Sequence, residues 1–125
     1  MTFDWSEYLK LAQELAGQAI NSASQEAKLR SSVSRAYYAA FCKARNYLHD
    51  IEGHLIPSTG EAHKYVRDVF KRSPDRSRRK IGNNLDRLRI DRNKADYWNS
   101  VTGLSSIAKI DLTIAQEVIS TLSFL

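Results

Sequence analysis

Four polar residues within six positions, Arg92, Asn93, Asp96 and Tyr97, form the densest group that could carry chemistry. They close a stretch in which apolar residues recur at helical spacing: Ile81, Leu85, Leu88 and Ala95. Arg92 holds the position in that stripe where a leucine belongs. A charge on a core-facing stripe is costly unless something pairs with it. Arg92 is therefore either half of a structural ion pair or part of a site. Asp96, one helical turn on, is the obvious ion-pair partner.

A second polar-aromatic group lies on an earlier helical stretch, Ser34-Arg35-Ala36-Tyr37-Tyr38-Ala39-Ala40-Phe41. Tyr37 falls on the apolar stripe and reads as core. Tyr38 lines up with Ser34, Phe41 and Arg45, and Ser34 and Tyr38 could hydrogen-bond toward the Arg92 side. Of three histidines, His63 sits at the edge of an apolar helical face with Val66 and Phe70. If its helix neighbours that of Arg92, His63 could bring an acid/base group to Arg92 or Asp96. The alternative is a partly buried His bonded to Asp96 or a tyrosine. His49 and His54 flank a helix end and read as surface or loop residues. No His or Cys pair has metal-ligand spacing, so neither a metal nor another cofactor is expected.

The net charge of +5 is concentrated. Residues 71–80 hold six bases (Lys71, Arg72, Arg76, Arg78, Arg79 and Lys80) and one acid, Asp75, while the rest of the chain balances at thirteen each. Such a run is either an electrostatic footprint for phosphate or a solvated loop. No aromatic residue interleaves it, so it offers no base-stacking platform.

These residues need elements to position them. At 125 residues, with 5 glycines and 2 prolines, the chain reads as one all-α domain over residues 1–125. The pattern predicts an antiparallel bundle of about five helices. The first opens at Asp4 with Glu7 in a capping box and buries Trp5, Leu9, Ala12, Ala16 and Ile20, with Tyr8 and Leu15 beside them. After a break at 21–24, a long second helix runs from near Gln25 to about Glu52, with Val33, Tyr37, Ala40, Ala44, Leu48 and Ile51 inward and Gly53 at its C′ position. Ser58-Thr59-Gly60-Glu61 predicts a capping box for a third helix that buries Ala62, Val66, Val69 and Phe70. Arginines early in the fourth helix oppose the helix dipole, so a late start near Ser77–Lys80 is expected. Ser105 is the expected cap of a last helix carrying Ile107, Ile110, Ile114, Val118, Leu122 and Leu125. That helix is apolar on more than one side, as suits a central or subunit-interface helix. No apolar run approaches membrane-span length, and Asp4 and Glu7 do not suit a basic signal-peptide start. The lone Cys42 lies in an apolar helical stretch and reads as core filling in a reducing, cytoplasmic setting.

Taken in order, Ser34 to Phe41, His63 and Arg92 to Tyr97 resemble marks of the HEPN family (Higher Eukaryotes and Prokaryotes Nucleotide-binding domains). The nearest branch is a small stand-alone one with a Ser-x-x-Tyr-Tyr-Ala-x-Phe helix and an Arg-x-x-Ala-Asp-Tyr ending. The resemblance covers nearly the whole chain. It implies a five-helix bundle, often a homodimer, that binds RNA or nucleotide in a prokaryotic toxin–antitoxin or defence setting. In active relatives it implies metal-independent endoribonuclease activity, in which an Arg followed by a polar residue stabilises charge developing on phosphate and a downstream His moves the proton. Here Arg92 and Asn93 match, but the downstream window holds Tyr97, Trp98 and Asn99 and no His. A tyrosine with an ordinary pKa near 10 is a poor base at neutral pH. The resemblance also suggests an alternative: a non-catalytic module paired with a minimal nucleotidyltransferase, for which Tyr97 would be the acceptor.

Overall fold

The computed structural model describes residues 3–17 and 22–125, with the side chains of 22–24 left aside. Five helices and no strand make up the described residues: α1 (Ser6–Gly17), α2 (Ser22–Asp50), α3 (Glu61–Lys71), α4 (Arg76–Tyr97) and α5 (Leu104–Leu122). Helix α2 is the spine. It packs on α1, α4 and α5, while α3 lies mainly against α4. Small residues on α2 permit this, since Ala36, Ala39, Ala40 and Ala44 are all fully buried and let three helices approach one axis. The core gathers around Tyr37, Leu48, Val66, Phe70, Ile81 and Leu88. A smaller cluster of Leu29, Val33, Ala95, Leu104 and Ala108 closes the far end. Cys42 is buried in this core, and burial pushes its thiol up, as suits a packing residue.

Helix α3 approaches α4 through Gly82. A Cβ at that position would lie 2.6 Å from the Lys71 backbone nitrogen and 3.0 Å from the Arg67 carbonyl oxygen, so only glycine permits this approach. Arg30 of α2 crosses to the end of α4, where its guanidinium donates to the carbonyls of Ala95 (2.9 Å), Trp98 (2.6 Å) and Asn99 (3.2 Å). It thereby satisfies carbonyls that a helix end leaves unpaired.

Several local expectations are corrected. Helix α2 begins at Ser22, earlier than Gln25, and ends at Asp50. Ile51, left outside it, is 69% exposed. Gly53 does turn left-handed (φ 73°) just past this end. The capping-box geometry at 58–61 is replaced by a looser one, in which the Thr59 hydroxyl accepts from the Glu61 N–H at 3.3 Å. At the first helix, Asp4 accepts from the Ser6 N–H and hydroxyl rather than from the N3 amide. Helix α4 starts at Arg76, because Asp75 caps it by accepting from the Arg78 N–H at 3.0 Å and two of its first arginines, Arg78 and Arg79, find partners. The cap of α5 is Gly103 (φ 70°), not Ser105. Ile20 and Asn21 lie outside the described residues.

The largest correction concerns α5. Its buried face is Leu104, Ala108, Asp111, Ala115, Val118 and Leu122, while Ile110 is 43% and Leu125 41% exposed. A run of isoleucines sets the apparent stripe, but helix geometry turns inward the face that contains Asp111. Among the described residues, no helix is long and apolar enough to cross a membrane.

Candidate functional site

Helices α2, α3 and α4 bring together Ser34, Tyr37, Tyr38, His63, Arg92 and Asp96. Arg92 does occupy the core-facing stripe of α4, with a side chain only 12% exposed. Its guanidinium carbon lies 5.4 Å from the ring centroids of both Tyr37 and Tyr38. These two rings hold the cation by their faces, a favourable setting for a partly desolvated guanidinium. One terminal nitrogen reaches Asp96 Oδ2 at 3.7 Å, a long ion pair, and the Ser34 hydroxyl donates to the same oxygen at 3.3 Å. Arg92 Nε is buried with no hydrogen-bond partner.

Arg89, one turn earlier, is a member of this group that sequence reasoning missed. Its Nε is also buried and unpartnered, and no carboxylate of the described residues pairs with it. The one signal in the sequence is its i−3 spacing from Arg92. Two guanidinium groups with unmet donors in one partly buried place make a local surplus of N–H groups and positive charge.

His63 stands on the α3 side of this group. Its Nδ1 hydrogen-bonds the Tyr37 hydroxyl, and its ring stacks on Phe41 with centroids 4.3 Å apart. Burial lowers its pKa first, and Arg92, Arg89 and Arg45 lower it further, so the imidazole is neutral near pH 7. Burial also keeps the Tyr37 phenol protonated by raising its pKa. In the tautomer with hydrogen on Nδ1, His63 donates to the Tyr37 oxygen and keeps Nε2 as a proton acceptor. Of the two sequence readings of His63, the bond to a tyrosine is the one found, and the imidazole nevertheless lies within the electrostatic reach of Arg92.

Asn93 and Tyr97 do not join this group. Asn93 is half-buried and takes no part in the hydrogen bonds of the cluster. Tyr97 is 74% exposed at the end of α4, beside an exposed Trp98. His49 is exposed as expected, whereas His54 is half-buried with Nδ1 2.8 Å from the Tyr65 hydroxyl.

The 71–80 segment is largely tied up within the chain. Arg78 makes a two-pronged pair with Glu52 at 2.6 and 3.0 Å, Lys71 reaches Asp86 at 3.1 Å, and Lys80 pairs with Glu117. Arg79 donates to the carbonyls of Ser73 and Pro74. Arg72 and Arg76 remain without an ion pair among the described residues. Rather than one loop, the run is the end of α3, a short turn and the first turns of α4. No group of three or more metal-ligating side chains occurs among the described residues.

Asp111 is the other buried charge. It is fully buried; no N–H or hydroxyl donor among the described residues reaches its carboxyl, which instead meets the Asp91 carboxyl. Burial raises its pKa well above the ordinary carboxylate range, the neighbouring Asp91 raises it further, and Arg87 only partly opposes them. Nothing in the sequence marks this residue beyond its place in the α5 register.

Fold and cluster together define an all-α five-helix bundle with a cationic, aromatic-walled group between α2, α3 and α4. Comparison with known proteins adds a relative but no activity. The chain is 27% identical to an uncharacterized protein of Methanocaldococcus jannaschii, MJ0992, over 139 aligned residues that cover 98% of this chain and 77% of that protein. No family model and no solved structure matches the chain.

Proposed function

We propose that the chain is a HEPN-type module that binds RNA or nucleotide phosphate, as a homodimer in a prokaryotic toxin–antitoxin or defence setting. The observation that carries this reading is Arg92. It sits where packing calls for an apolar residue, clamped by Tyr37 and Tyr38, with one buried donor unmet and its ion pair to Asp96 long. A phosphate at the terminal nitrogens of Arg92 and Arg89 would balance these two poorly paired guanidinium charges with charge-assisted hydrogen bonds. The exposed Ile110 on α5 and Ile90 on α4 supply apolar surface for a second copy.

Cleavage, in this reading, runs through His63 in place of the absent downstream His. A neutral imidazole can take the proton of an attacking 2′-hydroxyl as its oxygen bonds to phosphorus, while Arg92 stabilises the charge that develops on the phosphorus-bound oxygens. The imidazolium returns the proton to the 5′-oxygen as the P–O5′ bond breaks, leaving a 2′,3′-cyclic phosphate. The test is RNA cleavage in the presence of chelator. Weak cleavage by the wild type that disappears in both Arg92→Ala and His63→Ala is expected. Binding without cleavage would make the module a binder only. Neither binding nor cleavage by the folded wild type would sink the reading.

A second reading has its own observation. Tyr97 projects into solvent at 74% exposure, where a partner nucleotidyltransferase could reach its hydroxyl. Co-expression with such a partner should then add a nucleotide mass to Tyr97 and not to Tyr97→Phe.

A further inference from the structure

A further pair of positive charges placed to meet a ligand lies outside both the Arg92 group and the 71–80 segment. A cleft of about 570 Å³ opens between α1, α2 and the start of α3. That volume falls within the range of small-ligand sites. Arg35 and Arg45 line it, with Trp5 and Tyr8 on the α1 side and Tyr38 and His63 at the wall shared with the Arg92 group. Among the described residues no carboxylate lines it. Neither arginine makes an ion pair among the described residues.

Each arginine is held by an aromatic face. The Arg35 guanidinium carbon lies 5.0 Å from the Tyr8 ring centroid, and that of Arg45 lies 5.6 Å from the Trp5 ring centroid. Stacking fixes a guanidinium through its plane and leaves its N–H edge for other partners. Arg45 uses only Nε, on the Asn46 side-chain oxygen at 3.1 Å, which leaves its terminal nitrogens.

Spacing chooses between ligands. Arg35, Tyr38, Cys42 and Arg45 follow one another at i, i+3, i+7 and i+10 and so share one face of α2. Ten residues of helix rise about 15 Å, which is longer than one phosphate. The pair therefore suits two phosphates of one strand, and the Trp5 and Tyr8 rings, edge to face with centroids 5.2 Å apart, form one shared aromatic platform beside it. A cationic track lined with aromatics is how proteins hold single strands. The far wall continues the track, because Tyr38 lines the cleft and also carries the Arg92 guanidinium over its ring.

We infer that the α1–α2 cleft is a groove for single-stranded nucleic acid, in which Arg35 and Arg45 hold successive stretches of backbone and lead the strand toward Arg92. This rests on the RNA-binding reading above and gives it a surface that adds Trp5, Tyr8 and Arg45 to residues of the HEPN-like stretch.

The test is fluorescence anisotropy with a labelled six-nucleotide oligoadenylate between 50 and 200 mM salt. Wild type, Arg35→Gln/Arg45→Gln, the matching Lys/Lys double variant and Arg92→Ala are compared, each checked for an unchanged melting curve. The Gln double variant should weaken binding at least tenfold and flatten the log–log salt slope by about 1.4, at about 0.7 for each phosphate that is no longer neutralised. The Lys double variant should keep the slope. Adenosine monophosphate and inorganic phosphate should compete only at concentrations at least a hundredfold above the oligonucleotide.

Wild-type affinity and slope in the Gln double variant would overturn the groove, and so would adenosine monophosphate or polyglutamate competing as well as the oligonucleotide. If that variant binds normally while Arg92→Ala does not, the groove falls and the RNA-binding reading survives. If the folded wild type binds no oligonucleotide, both fall.

Discussion

At its amino-terminal end α4 turns Arg78 and Lys80 toward Glu52 and Glu117, and Arg79 toward backbone carbonyls. Three turns later the same helix carries Arg89 and Arg92 with their Nε atoms buried and unmet, and Arg92 lies against two aromatic rings. The first end is conspicuous as a run of charge, and the second is a single charge in an apolar stripe. Yet half of the run's six bases are ion-paired within the fold, and the lone position keeps unmet donors. Charge density along a chain measures what must be solvated or paired. A charge out of register measures what packing has conceded, and that is the better pointer to a site.

Removing charge at each end of α4 and measuring RNA binding puts this contrast to its most severe test. Arg92→Ala should weaken binding by about ten- to a hundredfold, the worth of a charge-assisted hydrogen bond of about 1.5–3 kcal/mol. Replacing Arg78, Arg79 and Lys80 together by alanine should change affinity less than threefold. Arg72→Gln/Arg76→Gln, which removes the unpaired bases of the run, should have the larger effect of the two amino-terminal variants. If the triple variant weakens binding more than Arg92→Ala does, the ion pairs described here do not neutralise that end in solution.

Between the two ends lies the close approach that fixes α4 against α3. Gly82→Ala places a Cβ against Lys71 backbone and should lower stability by about 1–3 kcal/mol, the usual cost of overpacking. Thermal unfolding checks this. An unchanged melting temperature would mean that the helices part easily, and that His63 on α3 is held to the Arg92 group by its own bonds alone.

The five helices were legible because their apolar spacing is regular and their breaks carry Gly, Pro and Ser. Arg92 was legible for the same reason, as a violation of a clear stripe. Ser34, Tyr37, Tyr38 and His63 could be named because each lay on or beside such a stripe, and the packing of α2, α3 and α4 then joined them. Three things were hidden. The Arg78–Glu52 pair joins residues 26 apart, and nothing local to the basic run announces Glu52. The α1–α2 cleft needs Trp5 and Tyr8 opposite Arg35 and Arg45, a pairing set by tertiary packing. Asp111 was masked by the neighbouring isoleucines, whose bulk suggested the wrong inward face for α5.

Asp111 provides the next contrast, a buried acid that burial keeps protonated where Arg92 is a buried cation. Its pKa is raised in the fold, so the folded state keeps a proton that the unfolded chain releases above about pH 4. This group's contribution to stability is therefore fully present below that value and is lost as pH rises from about 4 through its folded value of about 8. Asp111→Asn cannot ionise and should remove that fall, leaving stability unchanged near pH 4 and raising it by about 1–2 kcal/mol at pH 7. Urea titrations at several pH values measure it. Parallel pH profiles for the variant and wild type would show that Asp111 is solvated in solution.

The smallest effect belongs to the amino-terminal end and has the opposite sign. The hydrogen bond from Arg78 is the largest influence on Glu52 and lowers its pKa, with the Arg78 charge adding to it. A lowered carboxylate contributes stability that is present above its unfolded value, near 4.3, and lost as pH falls through its folded value. Both side chains remain partly open to water, at 18% for Arg78 and 27% for Glu52, so screening limits the gain to about 0.5–1 kcal/mol. Arg78→Ala should cost that amount at pH 7 and almost nothing at pH 3, and high salt should shrink it. Arg92→Ala offers the control at the other end of the helix, because its guanidinium is held chiefly by rings, whose attraction does not titrate. A loss of stability in Arg78→Ala that persists undiminished at pH 3 would assign the side chain's role to packing over Phe70, whose ring centroid lies 5.0 Å from its guanidinium carbon, and would bring the two ends of α4 closer in kind than their ion pairs suggest.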